Sequence, residues 1–305
     1  MTTGTTTMES KPPVKSLSPW GLARKKFFRN KLAMISLAFL LIVIIFSLLA
    51  SVLAPHISPI PDITKVNIGK MSIPPNDEHI LGTDKSGRDV MTRLLYGGRI
   101  SLLIGVSSTA IVIFLGTLVG SIAGFFGGFV DGLLMRFTDF VLTFPFLIFV
   151  ITLNTILHGK VDGLWVLIGV IGLLSWGGVA RIVRSKILAE KENEYILAAI
   201  SIGCSPAKVI IKHLLPNVLS TIIVQSTLLF AGLIIAESGL SYLGFGVPVQ
   251  TPSWGNMLAF ANEPDVLQGK VWIWMPPALA ITSVILSINF IGEGLKDALN
   301  PKSYR

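Results

Sequence analysis

Few residues of this 305-residue chain could carry covalent or proton chemistry: His56, His79, His158 and His213, the single Cys204, and the adjacent Glu237 and Ser238. A serine nucleophile needs a base within hydrogen-bond reach, and all four histidines stand at the ends of apolar runs or between them, away from Ser238. One cysteine closes no internal disulfide, and no Cys/His group has metal-ligand spacing. Cys204 reads as a small turn residue. Gly82 and Gly87 have the spacing of a phosphate-cradling loop, yet Arg88-Asp89 fills the places of its Lys and Ser/Thr. Glu237 is the remaining acid of interest, since an intramembrane carboxylate marks an ion path or a specific contact. Its place at the end of an apolar run favours an interfacial or partner contact over a pathway. No catalytic, cofactor-binding or metal-binding residue is assigned, and the chain is not expected to be an enzyme.

The elements around these residues explain the scarcity. Hydrophobic residues make up 51% of the chain and charged residues 14%, against roughly 25% charged in soluble domains, and the mean hydropathy is +0.72. Such a composition belongs to an integral membrane protein, with about 20 apolar residues per helical crossing. The net charge of +8 does not point to nucleic acid, because the basic residues gather at the ends of apolar runs and not on one face. Residues 1–18, rich in Thr, Ser and Pro, are expected to be a disordered cytoplasmic tail.

Residues 19–54 read as an interfacial helix and a first crossing. Leu32 to Ala54 carries no charge, is ended by Pro55, and comes after Trp20, Arg24, Lys25, Lys26, Arg29 and Lys31. That basic, aromatic stretch suits the anionic cytoplasmic leaflet and places the N-terminus inside. The apolar run is too long, and starts too far from Met1, for a cleavable signal peptide. Five further spans are predicted near 100–123, 133–157, 164–182, 218–236 and 275–294. The expectation is therefore an all-α polytopic protein with six crossings and both termini inside. Residues 55–99 form an extracytoplasmic segment despite their six Lys and Arg residues, and residues 100–301 form a core with a cytoplasmic loop at 184–217.

Gly116, Gly120, Gly124 and Gly128 recur every four residues, so they fall on one stripe where a neighbouring backbone can approach. Pro145 is expected to kink the third span, and Arg136 and Asp139, three apart, are expected to pair or to reach the interface. In the cytoplasmic loop, Tyr195, Ala198, Ala199 and Ile202 fall at helical spacing on one face, after Glu190, Glu192 and Glu194. That helix is predicted to stop at Gly203. Ser205-Pro206 reads as an N-cap and first helical position, opening a second short helix that Pro216 breaks. Two short helices on a tight turn make either a rigid docking knob or an amphipathic hairpin lying on the membrane.

The pattern Ala198-Ala199, Gly203 and Leu215-Pro216 resembles the loop signature of permease subunits in ABC-type importers. Leu197 stands where that family often has Glu, a contact that Glu194 would supply, and His213 stands where Ile is common. His213-Leu214-Leu215-Pro216-Asn217 is similar to the oligopeptide and dipeptide branch. The same branch is matched by Leu81-Gly82-Thr83-Asp84, Glu237-Ser238-Gly239-Leu240-Ser241-Tyr242 and Pro252-Ser253-Trp254-Gly255. The resemblance spans about residues 20–301 and implies a type I ABC importer permease fold in a bacterial cytoplasmic membrane, of the C-type of peptide permease. It further implies a heterodimer with a sister permease, two cytoplasmic ATPases holding ATP and Mg, and an extracytoplasmic peptide-binding protein. In that family the loop inserts into the ATPase, which assigns coupling to Glu194, Tyr195, Ala198, Ala199, Gly203, Ser205, Pro206, His213, Leu215 and Pro216. Residues 245–274, with Trp254, Trp272 and Trp274, would meet the binding protein or anchor at the interface. The competing expectation is an ion-coupled transporter working alone through Glu237. Nothing in the sequence separates oligopeptide, dipeptide or nickel-chelate cargo.

Overall fold

In a computed structural model, residues 19–58, 63–157 and 161–300 are described. The expected tail at 1–18 lies outside them, as do His158 and Lys160. The helices in chain order are α1 (Pro19–Arg29), α2 (Lys31–Leu48), α3 (Ala50–Ile57), α4 (Val90–Phe126), α5 (Gly128–Thr143), α6 (Phe146–Leu157) and α7 (Gly163–Lys191). After these come α8 (Glu194–Ser201), α9 (Pro206–Val209), α10 (Leu215–Tyr242), α11 (Trp254–Leu258), α12 (Pro264–Gly269) and α13 (Val271–Leu299). Among the described residues, five helical stretches are long and apolar enough to cross a membrane, or six if the bent pair α5–α6 is one span.

Local chemistry sets most boundaries. Asn30 separates α1 from α2 and caps α2, its side-chain oxygen accepting from Ala33 N at 3.1 Å. The expected stop at Pro55 is displaced: Pro55 lies inside α3, and the discontinuity falls at Leu49. The second crossing begins ten residues before the expected 100, because Asp89 caps it by accepting from Thr92 N at 2.7 Å. At 1.5 Å per residue, α4 runs to about 55 Å, well beyond the roughly 30 Å hydrocarbon layer.

The third span is broken outright where a kink was expected. Helices α5 and α6 meet at 79° around Phe144-Pro145. Proline offers no N–H and holds the residue before it extended, and Phe144 sits at φ −66°, ψ 130°.

The centre of the bundle is the packing of α4 along α7. A Cβ on Gly116 would lie 2.6 Å from Val179 Cβ, one on Gly120 2.4 Å from the Ala180 carbonyl, and one on Gly124 2.9 Å from the Arg184 carbonyl. These three glycines let the two backbones meet at van der Waals distance, the main source of helix attraction where lipid cancels the hydrophobic effect. Gly128 does not belong to the stripe. Helix α4 ends at Phe126, and Gly127 and Gly128 turn the chain with φ +67° and +51°, with open space where each Cβ would stand.

Helix α5 is tied to α7 by ions, with Arg184 holding Asp131 through two nitrogens and Arg181 holding Asp139. Asp139 thus pairs across helices and not with Arg136, since α7 presents its arginines one turn apart along the facing side.

On the opposite side of the bundle, the segment 63–89 folds into a knot against the loop after α10. His79 Nδ1 lies 2.9 Å from Asp89 Oδ2, Arg88 Nε donates to Asp84 at 2.8 Å, and Arg93 donates to the carbonyls of Ile63 and Val249 at 3.1 and 3.2 Å. His79, Asp84, Arg88, Asp89 and Arg93 are all buried. Lys85 adds an ion pair to Glu263 at the surface. Arg88 and Arg93 of this segment are thus buried against acceptors, while Lys70 and Lys85 pair with Glu78 and Glu263.

Candidate functional site

The hairpin between α7 and α10 is built on a strict turn. Helix α8 ends at Ser201 with Ile202 as its cap, Gly203 takes φ +82°, Cys204 N donates to Ala199 O at 3.1 Å and Gly203 N to Ile200 O at 2.9 Å. This is the Schellman arrangement, in which a left-handed residue, normally glycine, closes the orphan carbonyls of a helix end. Ser205 then takes extended angles and Pro206 opens α9 at its first position, although the Ser205 hydroxyl makes no capping bond.

Pro216 does not break the second leg of the hairpin. Residues Ile210–Leu214 form a π-helical turn in which Leu215 N reaches back to Ile210 O. Widening by one residue absorbs the donor that proline lacks, so the helix runs on from Pro206 to Tyr242. Leu215 and Pro216 are consequently part of α10's first turn.

The hairpin has an anchored side and a bare side. Ile196, Val209 and Leu214 are fully buried in the same apolar cluster as Val183 and Ile187 of α7 and Val218 of α10. Ala199 faces inward with them, so the expected single face of Tyr195, Ala198, Ala199 and Ile202 is divided, with Tyr195, Ala198 and Ile202 turned outward. Ile202, at the tip, is 80% exposed, and Leu197 and Ile211 are exposed beside it.

A polar brace joins the two legs. Tyr195 Oη donates to Glu190 Oε2 at 2.9 Å, Asn217 Nδ2 donates to Tyr195 Oη at 2.7 Å, and the same amide donates to the His213 carbonyl at 2.8 Å. Partial burial of the tyrosine hydroxyl, and next the Glu190 carboxylate, push its pKa above the usual value. Lys191 Nζ donates to Phe125 O at 2.5 Å, fastening the end of α7 to the end of α4. The acid that braces the hairpin is Glu190. Glu194 is exposed in the first turn of α8.

Glu237 is neither at a lipid interface nor open to a pathway. It has no exposed surface and accepts hydrogen bonds from Ser241 at 2.8 Å, Ser101 at 3.1 Å and Ser238 at 3.4 Å. Ser101 also accepts from Trp254 N at 3.1 Å. The carboxyl thus fixes α10, α4 and the start of α11 in one network. Its helix faces α4 at this level, so the expected partner contact is an internal one. Trp254, expected at an outer surface, is 2% exposed and donates its indole N–H to Leu94 O at 3.0 Å.

Residues 116–304 match the family model described as the binding-protein-dependent transport system inner membrane component, and that stretch contains the hairpin, the brace and Glu237. The chain belongs to this family. Residues 18–75 also match the N-terminal transmembrane domain of oligopeptide transport permease C. Among curated proteins, the oligopeptide transport system permease protein OppC of Haemophilus influenzae is 40% identical over 288 residues, covering 93% of this chain and 89% of that protein. The dipeptide transport system permease protein DppC of Bacillus subtilis is 38% identical over 292 residues, covering 95% and 88%. OppC of Lactococcus lactis is 36% identical over 290 residues, covering 95% and 97%.

For this inner membrane component, sequence patterns alone miss Glu190 and Asn217, which brace the hairpin, and the π turn that carries Pro216. The spacing of Tyr195 and Glu190, five apart, offers no helical cue to their bond. Asn217 directly after Leu-Pro is the available signal, because an amide side chain there can bond a carbonyl one turn back, as it does at His213.

Proposed function

We propose that this multi-pass membrane protein is one permease subunit of an ATP-driven importer for peptides, with the α8–α9 hairpin gripped by cytoplasmic ATPases. Peptide cargo is inferred from the names of the three relatives. The orientation, with the hairpin and both termini inside, rests on the basic residues grouped before α2 and around the hairpin. The chain would pair with a sister permease and receive cargo from an extracytoplasmic binding protein. ATP and Mg would be held in two separate ATPase subunits, with no cofactor in this chain.

One observation carries this reading: an apolar tip, 80% exposed at Ile202, stands on a base that is fully buried at Ile196, Val209 and Leu214. A bare apolar knob is a docking feature, and its base ties any displacement to α7 and α10 as rigid bodies. A flat amphipathic hairpin would need no such core anchor. The sealed position of Glu237 gives the ion-coupled alternative no support.

The test is Gly203→Val in the reconstituted four-subunit membrane complex with its binding protein. Valine at φ +82° is strained, so the turn would open while the spans remain. The expected result is continued ATP hydrolysis, lost peptide uptake and normal membrane insertion. Normal coupling in that variant, or uptake by the isolated chain on an ion gradient, removes the proposal.

A further inference from the structure

Between α1 and the last turns of α13 lies a cavity of about 550 Å³ that plays no part in the hairpin mechanism. Its volume is in the range of small-ligand pockets, roughly 300–1,000 Å³. The charged lining consists of Lys25, Lys26, Arg29 and Asp297, three cations against one carboxylate. Lys26 Nζ donates to the Asp297 carbonyl at 2.7 Å, which holds α1 across the mouth. Lys25 and Arg29 are exposed and meet no acceptor among the described residues.

Two further features favour an anion there. Asn30 lines the cavity and its Oδ1 is already occupied by Ala33 N, so its amide N–H group remains as a donor. Gly294 lines the floor and lets α13 close on α2 beneath it, since a Cβ there would stand 2.6 Å from Ala33 Cβ. The 18-residue α2 begins at the same point, and the positive end of a helix of that length adds to the field of the cations.

The surroundings select which anion. α1 leads directly into the apolar α2, so the cavity sits at the polar boundary of the membrane. Phe28 and Leu32 beside it are 53% and 60% exposed, and the Arg24 guanidinium lies 5.7 Å over the Phe28 ring. Apolar side chains flanking a basic pocket suit acyl chains next to a phosphate, which a soluble phosphate ion cannot use.

We propose that this cavity holds the phosphate headgroup of an anionic phospholipid, with Lys25, Arg29 and the Asn30 amide as its donors. The lipid would bridge α1 and α13 and fasten the N-terminal helix to the end of the bundle.

The experiment is native mass spectrometry of the purified full-length chain in detergent, titrated separately with phosphatidylglycerol, phosphatidylcholine and inorganic phosphate. Lys25→Gln/Arg29→Gln is compared with Arg136→Gln/Lys186→Gln, which removes two exposed charges elsewhere. The expected result is retained phosphatidylglycerol on the native chain and the second variant, with affinity about 30-fold weaker in the first. That factor corresponds to about 1 kcal/mol for each basic residue near an anionic headgroup. Equal loss in both variants, equal retention of phosphatidylcholine, or displacement of the lipid by millimolar phosphate overturns the proposal. Should the first variant aggregate, a photoreactive phosphatidylglycerol on the native chain must label residues 22–31 or 291–298, and labelling confined to other segments refutes it.

Discussion

Glu237 accepts from Ser101, Ser238 and Ser241 with no exposed surface, so its carboxyl oxygens serve three hydroxyls donated from two helices. Glu237→Gln keeps an oxygen acceptor of the same shape, whereas Glu237→Leu leaves the hydroxyls without it. Each hydroxyl that finds no substitute costs about 1–3 kcal/mol. The expected outcome is that Glu237→Gln retains ATP-driven uptake in proteoliposomes, while Glu237→Leu lowers the thermal midpoint of the purified protein. Lost uptake in the glutamine variant at an unchanged midpoint would return this carboxylate to an ion path.

Helices here meet according to what their facing residues lack. Along α4 the missing Cβ atoms of Gly116, Gly120 and Gly124 admit Val179, the Ala180 carbonyl and Ile187 of α7, and the same spacing at Gly128 achieves nothing because the helix has already ended. Gly120→Leu therefore drives a side chain into backbone, a contact that cannot yield without separating α4 from α7. Gly128→Leu meets open space and only the cost of a left-handed residue, about 1–2 kcal/mol. Size-exclusion profiles in mild detergent should show Gly120→Leu aggregated and Gly128→Leu monodisperse. The reverse order would mean that the turn, and not the α4–α7 seam, holds the bundle. At the hairpin, an element boundary likewise depends on a neighbour. Pro216 ends no helix because the π turn at Ile210–Leu214 rearranges the bonds before it.

At the scale of the whole molecule, the two loops far apart in the chain form one cap on the side opposite the hairpin. Arg93 is 1% exposed and joins Ile63 to Val249 while lying 3.6 Å from Asp84. Lys85 joins the first of these loops to Glu263, directly before α12, at the solvent boundary. Removing one member of a buried ionic group leaves the others uncompensated, at about 3–5 kcal/mol, while exposed ion pairs contribute little. Thermal denaturation in detergent is expected to show a large loss for Arg93→Ala and none for Lys85→Ala. Equal effects would show that the cap is held at its surface.

The apolar runs and their basic flanks were enough to place the membrane helices and an interrupted loop between two of them. The Ala198-Ala199, Gly203 and Leu215-Pro216 spacing marked that loop, because bilayer thickness, helix pitch and turn geometry act over neighbouring residues. Which side of the hairpin is bare, that Glu190 and Asn217 brace it, and that Glu237 and Trp254 are interior could not be read along the chain. Those outcomes depend on which helix lies opposite, and Ser101, Leu94 and Val249 reach their partners only across more than 130 positions of sequence. Local propensity has no term for such a neighbour, so tertiary packing alone decided them.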